Sequence, residues 1–218
     1  MIGQEIDQQN SSDDYAEVDS LDNLTYTNNV CKIRLAADTV MTGSVTVNSG
    51  KSLTIDLNGH TLTAPANSKA FRIQNGALTI EDSIGTGAIQ GSGTVTGNGG
   101  AIWMSSSDSN NALTLTGGTI RGFTATDGGG VYVSGGSFEM SGGTISACNA
   151  ANAGGGVYVS SGSFEMSGGS IEDCTAYEGA GVKVYPSSGK TASFSMTGGE
   201  IKNCNTNGVS IYAIGGTS

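Results

Sequence analysis

Cationic side chains are scarce here: nine Lys and Arg stand against nineteen Asp and Glu in 218 residues, for a formal charge of −10. A surface that tracks phosphates needs clustered Lys and Arg, so no nucleic-acid partner is expected, and an acidic, solvated exterior is. Charged residues of both signs reach only 13% and aromatics 6%, which does not fit an ordinary helical core. No apolar run is long enough to span a bilayer, so no transmembrane segment is expected. The opening Met1-Ile2-Gly3-Gln4-Glu5 lacks the basic-then-apolar order of a signal peptide.

Proline occurs twice, whereas glycine occurs 36 times. Such a bias would suit disorder if the glycines were scattered. They instead sit at fixed places beside β-branched and aromatic residues, which disordered tracts lack. The phrase Val131-Tyr132-Val133-Ser134, then Gly-Ser-Phe-Glu-Met-Ser-Gly-Gly, then Ile145 and Cys148, returns almost unchanged from Val157 to Cys174, an offset of 26 (174 − 148). A unit of this length, with three short apolar/polar alternations between Gly/Ser turns, cannot bury its own apolar side chains. It must stack on copies of itself.

Three strand types recur in order from about Val30 onward. The first runs through Val45-Thr46-Val47, Phe71-Arg72-Ile73, Ile102-Trp103-Met104, Val131-Tyr132-Val133, Val157-Tyr158-Val159, Val182-Lys183-Val184 and Val209-Ser210-Ile211. Its outer residues point inward and its middle residue outward. The second includes Leu53-Thr54-Ile55, Leu113-Thr114-Leu115, Phe138-Glu139-Met140, Phe164-Glu165-Met166 and Phe194-Ser195-Met196, and the third centres on Leu62, Ile89, Ile120, Ile145, Ile171 and Ile201. Successive coils run the same way, so the sheets are parallel, and crossover handedness favours a right-handed winding. The predicted fold is all-β: a right-handed parallel β-helix, a single-stranded solenoid of six to seven coils and three sheets. Residues 1–24 form an acidic leader or cap, and residues 25–218 form the β-helix. Because the last repeat stops at Ile214-Gly215-Gly216 without a polar cap, the chain is expected to be a segment of a longer exported protein.

These repeats resemble the right-handed parallel β-helix of the pectate-lyase-like superfamily and, within it, adhesin-like bacterial surface proteins. Residues Leu53 to Leu62 are similar to an early coil of such proteins, and GGGVYVSGGSFEMSGGTI at 128–145 to their repeated coil. The resemblance covers about residues 30–218. It implies a fold shared by lyases, hydrolases, tailspikes and non-catalytic adhesins, and so does not by itself choose an activity. The superfamily's lyases carry Asp clusters with a catalytic Arg or Lys, and its pectin hydrolases carry grouped Asp with Gly-His-Gly and Arg-Ile-Lys. Neither pattern is matched: Gly59-His60-Thr61 lacks the last Gly and Phe71-Arg72-Ile73-Gln74 lacks the Lys. The adhesin-like resemblance makes His60, the sole histidine, a turn residue.

Several outward or repeated positions bear on function. The middle residues of the first strand line up Arg72, Trp103, Tyr132, Tyr158 and Lys183, an aromatic stripe with a cation at each end. Flat rings on a rigid sheet stack against sugar faces, and Arg72 and Lys183 are expected to hold an acidic group. The competing reading is that in-register aromatics only stabilise the sheet. Two insertions, Ser105 to Asn111 and Tyr185 to Thr191, leave the same corner and are expected to wall one end of the stripe, with tolerated surface insertions as the alternative. On the second strand Glu139 and Glu165 become neighbours. A solvated acidic face is expected there rather than a catalytic pair, since a flat open face lacks a cleft. Calcium is the cation they would recruit, if any; no other cofactor and no metal site is expected. Cys148, Cys174 and Cys204 each lie three residues after an inward Ile, at the place of Phe123 one coil earlier, and are expected as an interior column of buried thiols. Cys31 stands alone.

The expectation is a non-catalytic, adhesin-like module, extracellular or on a cell surface, binding a glycan or host-surface ligand on Trp103, Tyr132 and Tyr158. The alternatives are a polysaccharide lyase or glycoside hydrolase, and a purely structural spacer or display stalk.

Overall fold

A computed structural model describes residues 15–105, 110–205 and 209–211. The described residues contain strands and turns but no helix, and parallel strands stack into a solenoid of about six turns. Three long sheets correspond to the three recurring strand types. The first holds seven strands, from Val45–Val47 through Phe71–Ile73, Ile102–Met104, Val131–Val133, Val157–Val159 and Val182–Val184 to Val209–Ile211. The second holds eight, among them Val30–Leu35, Ser52–Asp56, Ser137–Met140, Gly162–Met166 and Ala192–Met196; the third holds seven, from Thr39–Val40 to Glu200–Lys202. Cα partners match the sequence repeat residue for residue, as in Val131↔Val157 and Phe138↔Phe164.

Like residues therefore sit above like. Phe71, Ile102, Val131, Val157 and Val182 form one fully buried column, and Ile89, Ile120, Ile145 and Ile171 form another. In the second sheet the rings of Phe138, Phe164 and Phe194 stack, with centroids 4.5 and 5.0 Å apart. The Thr/Ser-Gly-Gly corners end on Gly118, Gly143, Gly169 and Gly199, all at positive φ, the conformation that glycine adopts without a Cβ penalty. At the following corner, the equivalents of Gly122 are Ala147, Asp173 and Asn203, which hold positive φ despite carrying side chains.

A fourth, three-stranded sheet was not foreseen. Thr124–Asp127, Asn149–Ala153 and Thr175–Glu178 pair in parallel along the corner between the third and first sheets. Its inward residues, Ala125, Ala150 and Ala153, are small, so the segment shows no apolar alternation that would mark a strand.

The acidic leader also joins the fold. Ala16–Val18 pairs in parallel with Ile33 to Leu35 and extends the second sheet, and Leu21 enters the core. Tyr15 donates a hydrogen bond to Glu81 and lies against the Arg34 guanidinium. Arg34 Nε in turn donates to Asp56 Oδ2 at 2.8 Å, while Oδ1 of this fully buried carboxylate accepts from the N–H groups of Asn58 and Ser83. Residues 1–14 lie outside the described residues.

Candidate functional site

The first sheet sets its middle residues in one outward line, because each strand advances by one hydrogen-bonded rung without slipping register. The Cα partners run Arg72↔Trp103, Trp103↔Tyr132, Tyr132↔Tyr158 and Tyr158↔Lys183. All five residues expected at the site are thus brought onto one face, about 4.8 Å apart per step. The Arg72 guanidinium lies over the Trp103 ring at 5.9 Å, and the Tyr132 and Tyr158 rings stack at 5.2 Å and 7°. Burial, then the neighbouring Tyr132, Asp127, Tyr185 and Glu178, push the Tyr158 phenol up to about 12.

Lys183 departs from its expected role as an open polar anchor. It is 2% exposed, and its ammonium sits 2.6 Å from Glu178 Oε2 and 5.7 Å from the Tyr185 ring. The reason is the fourth sheet, which delivers Glu178 beside the Lys183 rung. Its ammonium is buried and paired with a half-exposed carboxylate, which leaves little of it open to an external ligand.

A groove of about 410 Å³ opens over the middle of the stripe, floored by Trp103 and Tyr132. Ser134, Ser160 and Ser161 line it beside the rings, with Asn98 also contributing. Ser187, Ser188 and Lys190, from the second of the two insertions, complete the lining. That insertion is docked by backbone bonds: Tyr185 N–H donates to Val159 O at 3.0 Å and Ser187 N–H to Ser160 O at 2.9 Å. The first insertion is anchored by Asn111, which is buried, accepts from Asn75 N–H and donates to Ser105 O at 2.8 Å; positions 106–109 lie outside the described residues. Tyr158 does not line the groove but backs Tyr132 from the next rung.

The serines were the missed part of the site. Ser134 Oγ donates to Met104 O, and Ser160 Oγ donates to Val133 O at 3.4 Å, each carbonyl belonging to the coil before. With its proton used that way, a hydroxyl offers its lone pairs. The only sequence signal was the recurrence of Ser directly after the inward Val at 134 and 160. A rim of hydroxyl acceptors, an amide and an ammonium around flat rings matches the hydroxyl-and-CH surface of a sugar.

The other candidates resolve differently. Glu139 and Glu165 are register partners and both exposed, beside a depression of about 140 Å³ that Thr114, Ser195 and Thr197 also line. Calcium takes six to eight oxygens, typically several of them carboxylate; among the described residues no group of three or more His, Cys, Asp or Glu converges to hold a metal. Cys148 and Cys174 form the buried column, while Cys204 continues it only partly buried; they donate to the carbonyls of Ile120, Ile145 and Ile171 at 3.8–3.9 Å, and all are free thiols. The hydrogen bond with Cys148 is the main influence that pushes Cys174 up to about 12, with burial adding to it. Cys31 is buried in the core. His60 closes a turn, its N–H donating to Leu57 O at 2.8 Å, with Nδ1 3.5 Å from Asp38.

Comparison with known proteins finds no matching family model, no matching curated protein and no matching solved structure. The architecture is therefore a parallel β-solenoid by its own coordinates, and its function must be argued from the groove.

Proposed function

We propose that this chain is a non-catalytic, adhesin-like binding module of the pectate-lyase-like β-helix kind, working outside the cell or on its surface, and that it holds a glycan in the Trp103–Tyr132 groove. One observation carries the reading: the insertion at 185–191 folds back to enclose, with Ser134, Ser160 and Ser161, a concavity over the two rings. A stripe serving only sheet stability needs no such wall. The rigid coils keep the rings flat and pre-placed, so little conformational freedom is lost on binding.

A glycan array probed with the full chain tests this. Trp103→Ala and Tyr132→Ala are each expected to weaken the signal about tenfold, the loss of roughly one ring-stacking contact plus its buried area. Undiminished binding by both variants, with unchanged circular dichroism, would remove the groove from the reading. The spacer or stalk reading draws on the Tyr132–Tyr158 stack, which already satisfies one face of each ring. It predicts that no glycan on the array binds. The lyase or hydrolase reading predicts new unsaturated or reducing ends when acidic polysaccharides are incubated with the protein and calcium.

A further inference from the structure

We propose that Arg72, on the rung beside the Trp103 side of the groove, forms an anion subsite, seating a carboxylate or sulfate carried on the ring that stacks against Trp103. This rests on the glycan reading and adds the chemical class of the sugar. Among the described residues, carboxylates hold Arg34 (Asp56), Lys183 (Glu178) and Lys202 (Glu172 and Glu200). Arg72 is not one of them. Among the described residues its guanidinium has the Trp103 face as its partner, at 5.9 Å, and no carboxylate within ion-pair distance. A guanidinium lying over an indole keeps its N–H edges free for a planar oxyanion beside the ring.

Lys69 makes this more than a lone arginine. Three residues before Arg72, it is 6% exposed and, among the described residues, no carboxylate pairs with it. Burial, and then the charge of Arg72, lower its proton affinity, so the two cations sense each other. Following the register Phe71↔Ile102, Lys69 occupies the place that Gly100, Gly129, Gly155 and Ala180 take in later coils. Those places cannot take a side chain of this length: a Cβ on Gly129 would stand 2.5 Å from Asn149 O, and one on Gly155 would stand 2.4 Å from Thr175 O. Only below the fourth sheet, whose first strand is Thr124–Asp127, does the corner admit a lysine. A half-open cation pair without a counter-charge is costly to keep in a fold for packing alone.

The field along the stripe also has a direction. At one end Glu178 is paired with Lys183 and Asp127 lies near Tyr158, while Lys69 and Arg72 stand at the other without a described carboxylate partner. An acidic group on the sugar is therefore placed toward Arg72, with Lys190 as a further cation on the groove wall.

The test is binding of the full chain to an array printed as matched oligosaccharide sets: a hexuronate with free carboxylates, the same chain with its carboxyls reduced to alcohols, and a sulfate ester of the reduced chain. Wild type is expected to bind one or both anionic members about tenfold or more tightly than the neutral one. Which member wins tells carboxylate from sulfate. Arg72→Gln should bring anionic binding down to the neutral level without changing neutral binding, and Lys69→Met should lower anionic binding several-fold. Equal binding of neutral and anionic members by wild type overturns the subsite while leaving the glycan reading intact, as does an Arg72→Gln loss that falls equally on both. No binding to any member overturns both. Trp103 emission and circular dichroism of each variant verify that the fold is retained; should Lys69→Met misfold, the Arg72→Gln result decides.

Discussion

Cutting Phe164 back to alanine isolates what one rung contributes to the stack. Its ring is fully buried and lies between two others, 4.5 Å from Phe138 and 5.0 Å from Phe194, with interplanar angles of 10° and 20°. Phe164→Ala loses the transfer free energy of a buried ring, leaves a cavity that the fixed coil spacing prevents from closing, and removes both faces of stacking. The expected cost is about 3–5 kcal/mol. Phe194 is half-buried and, among the described residues, stacks on Phe164 alone. Its truncation should cost about half as much, roughly 1.5–2.5 kcal/mol. With a urea slope of about 3 kcal/mol per molar, the midpoint falls by about 1.3 M for Phe164→Ala and about 0.7 M for Phe194→Ala. Far-ultraviolet circular dichroism follows the sheets and Trp103 fluorescence follows the first sheet. Coincidence of the two transitions establishes that the coils unfold as one unit, which these midpoints assume. Equal shifts for the two variants would refute the rung order, because a ring with a neighbour on each side must lose more than one with a neighbour on a single side.

The remaining predictions concern other parts of the same stack. Ala147 holds φ 49° where the preceding coil has Gly122, so Ala147→Gly should raise the melting temperature, by about 0.5–1 kcal/mol of stability; a decrease would show that the left-handed backbone carries no strain there. At Gly129 an added Cβ would meet two carbonyl oxygens at 2.5 Å, whereas at Gly43 it would meet nothing within 4 Å. Gly129→Ala should therefore cost about 1–3 kcal/mol or more and Gly43→Ala almost nothing, compared by the same urea titration. Burial works to raise the Asp56 pKa, but hydrogen bonds from Ser83, Arg34 and Asn58 outweigh it and hold the carboxyl below the usual carboxylate range. Because the folded value lies below the unfolded one, near 3.9, its stabilisation is fully present above about pH 4 and is lost as pH falls through the folded value. Melting scans of Asp56→Asn should show about 1–3 kcal/mol less stability at neutral pH and a shallower acid decline; an identical acid limb would refute this. Finally, Cys148 and Cys174 should resist a thiol reagent at pH 8 in the folded protein, while all four cysteines react in urea. Fast labelling of Cys174, read by peptide mass, would contradict burial of its thiol.

Much of this protein is written in its period. The alternation in Val131-Tyr132-Val133 and Phe138-Glu139-Met140, repeated at 26 residues, leaves the backbone one way to bury its apolar side chains. That requirement alone assigned the inward columns, the outward stripe of Arg72, Trp103, Tyr132 and Tyr158, and the thiols at Cys148 and Cys174. Register follows from it, since slipping one residue would turn every inward Val outward. Tertiary structure decided what periodicity does not encode. The fourth sheet is built on alanines and polar residues whose strand conformation comes from the coils beside them, not from their own pattern. It sets Glu178, itself about half exposed, against the buried Lys183, so that the expected ligand anchor is held in an ion pair. The path of the 185–191 insertion converted a flat aromatic face into a groove edged by Ser134 and Ser160, because a loop's course depends on the backbone partners it finds across the surface, and these lie far from it in sequence.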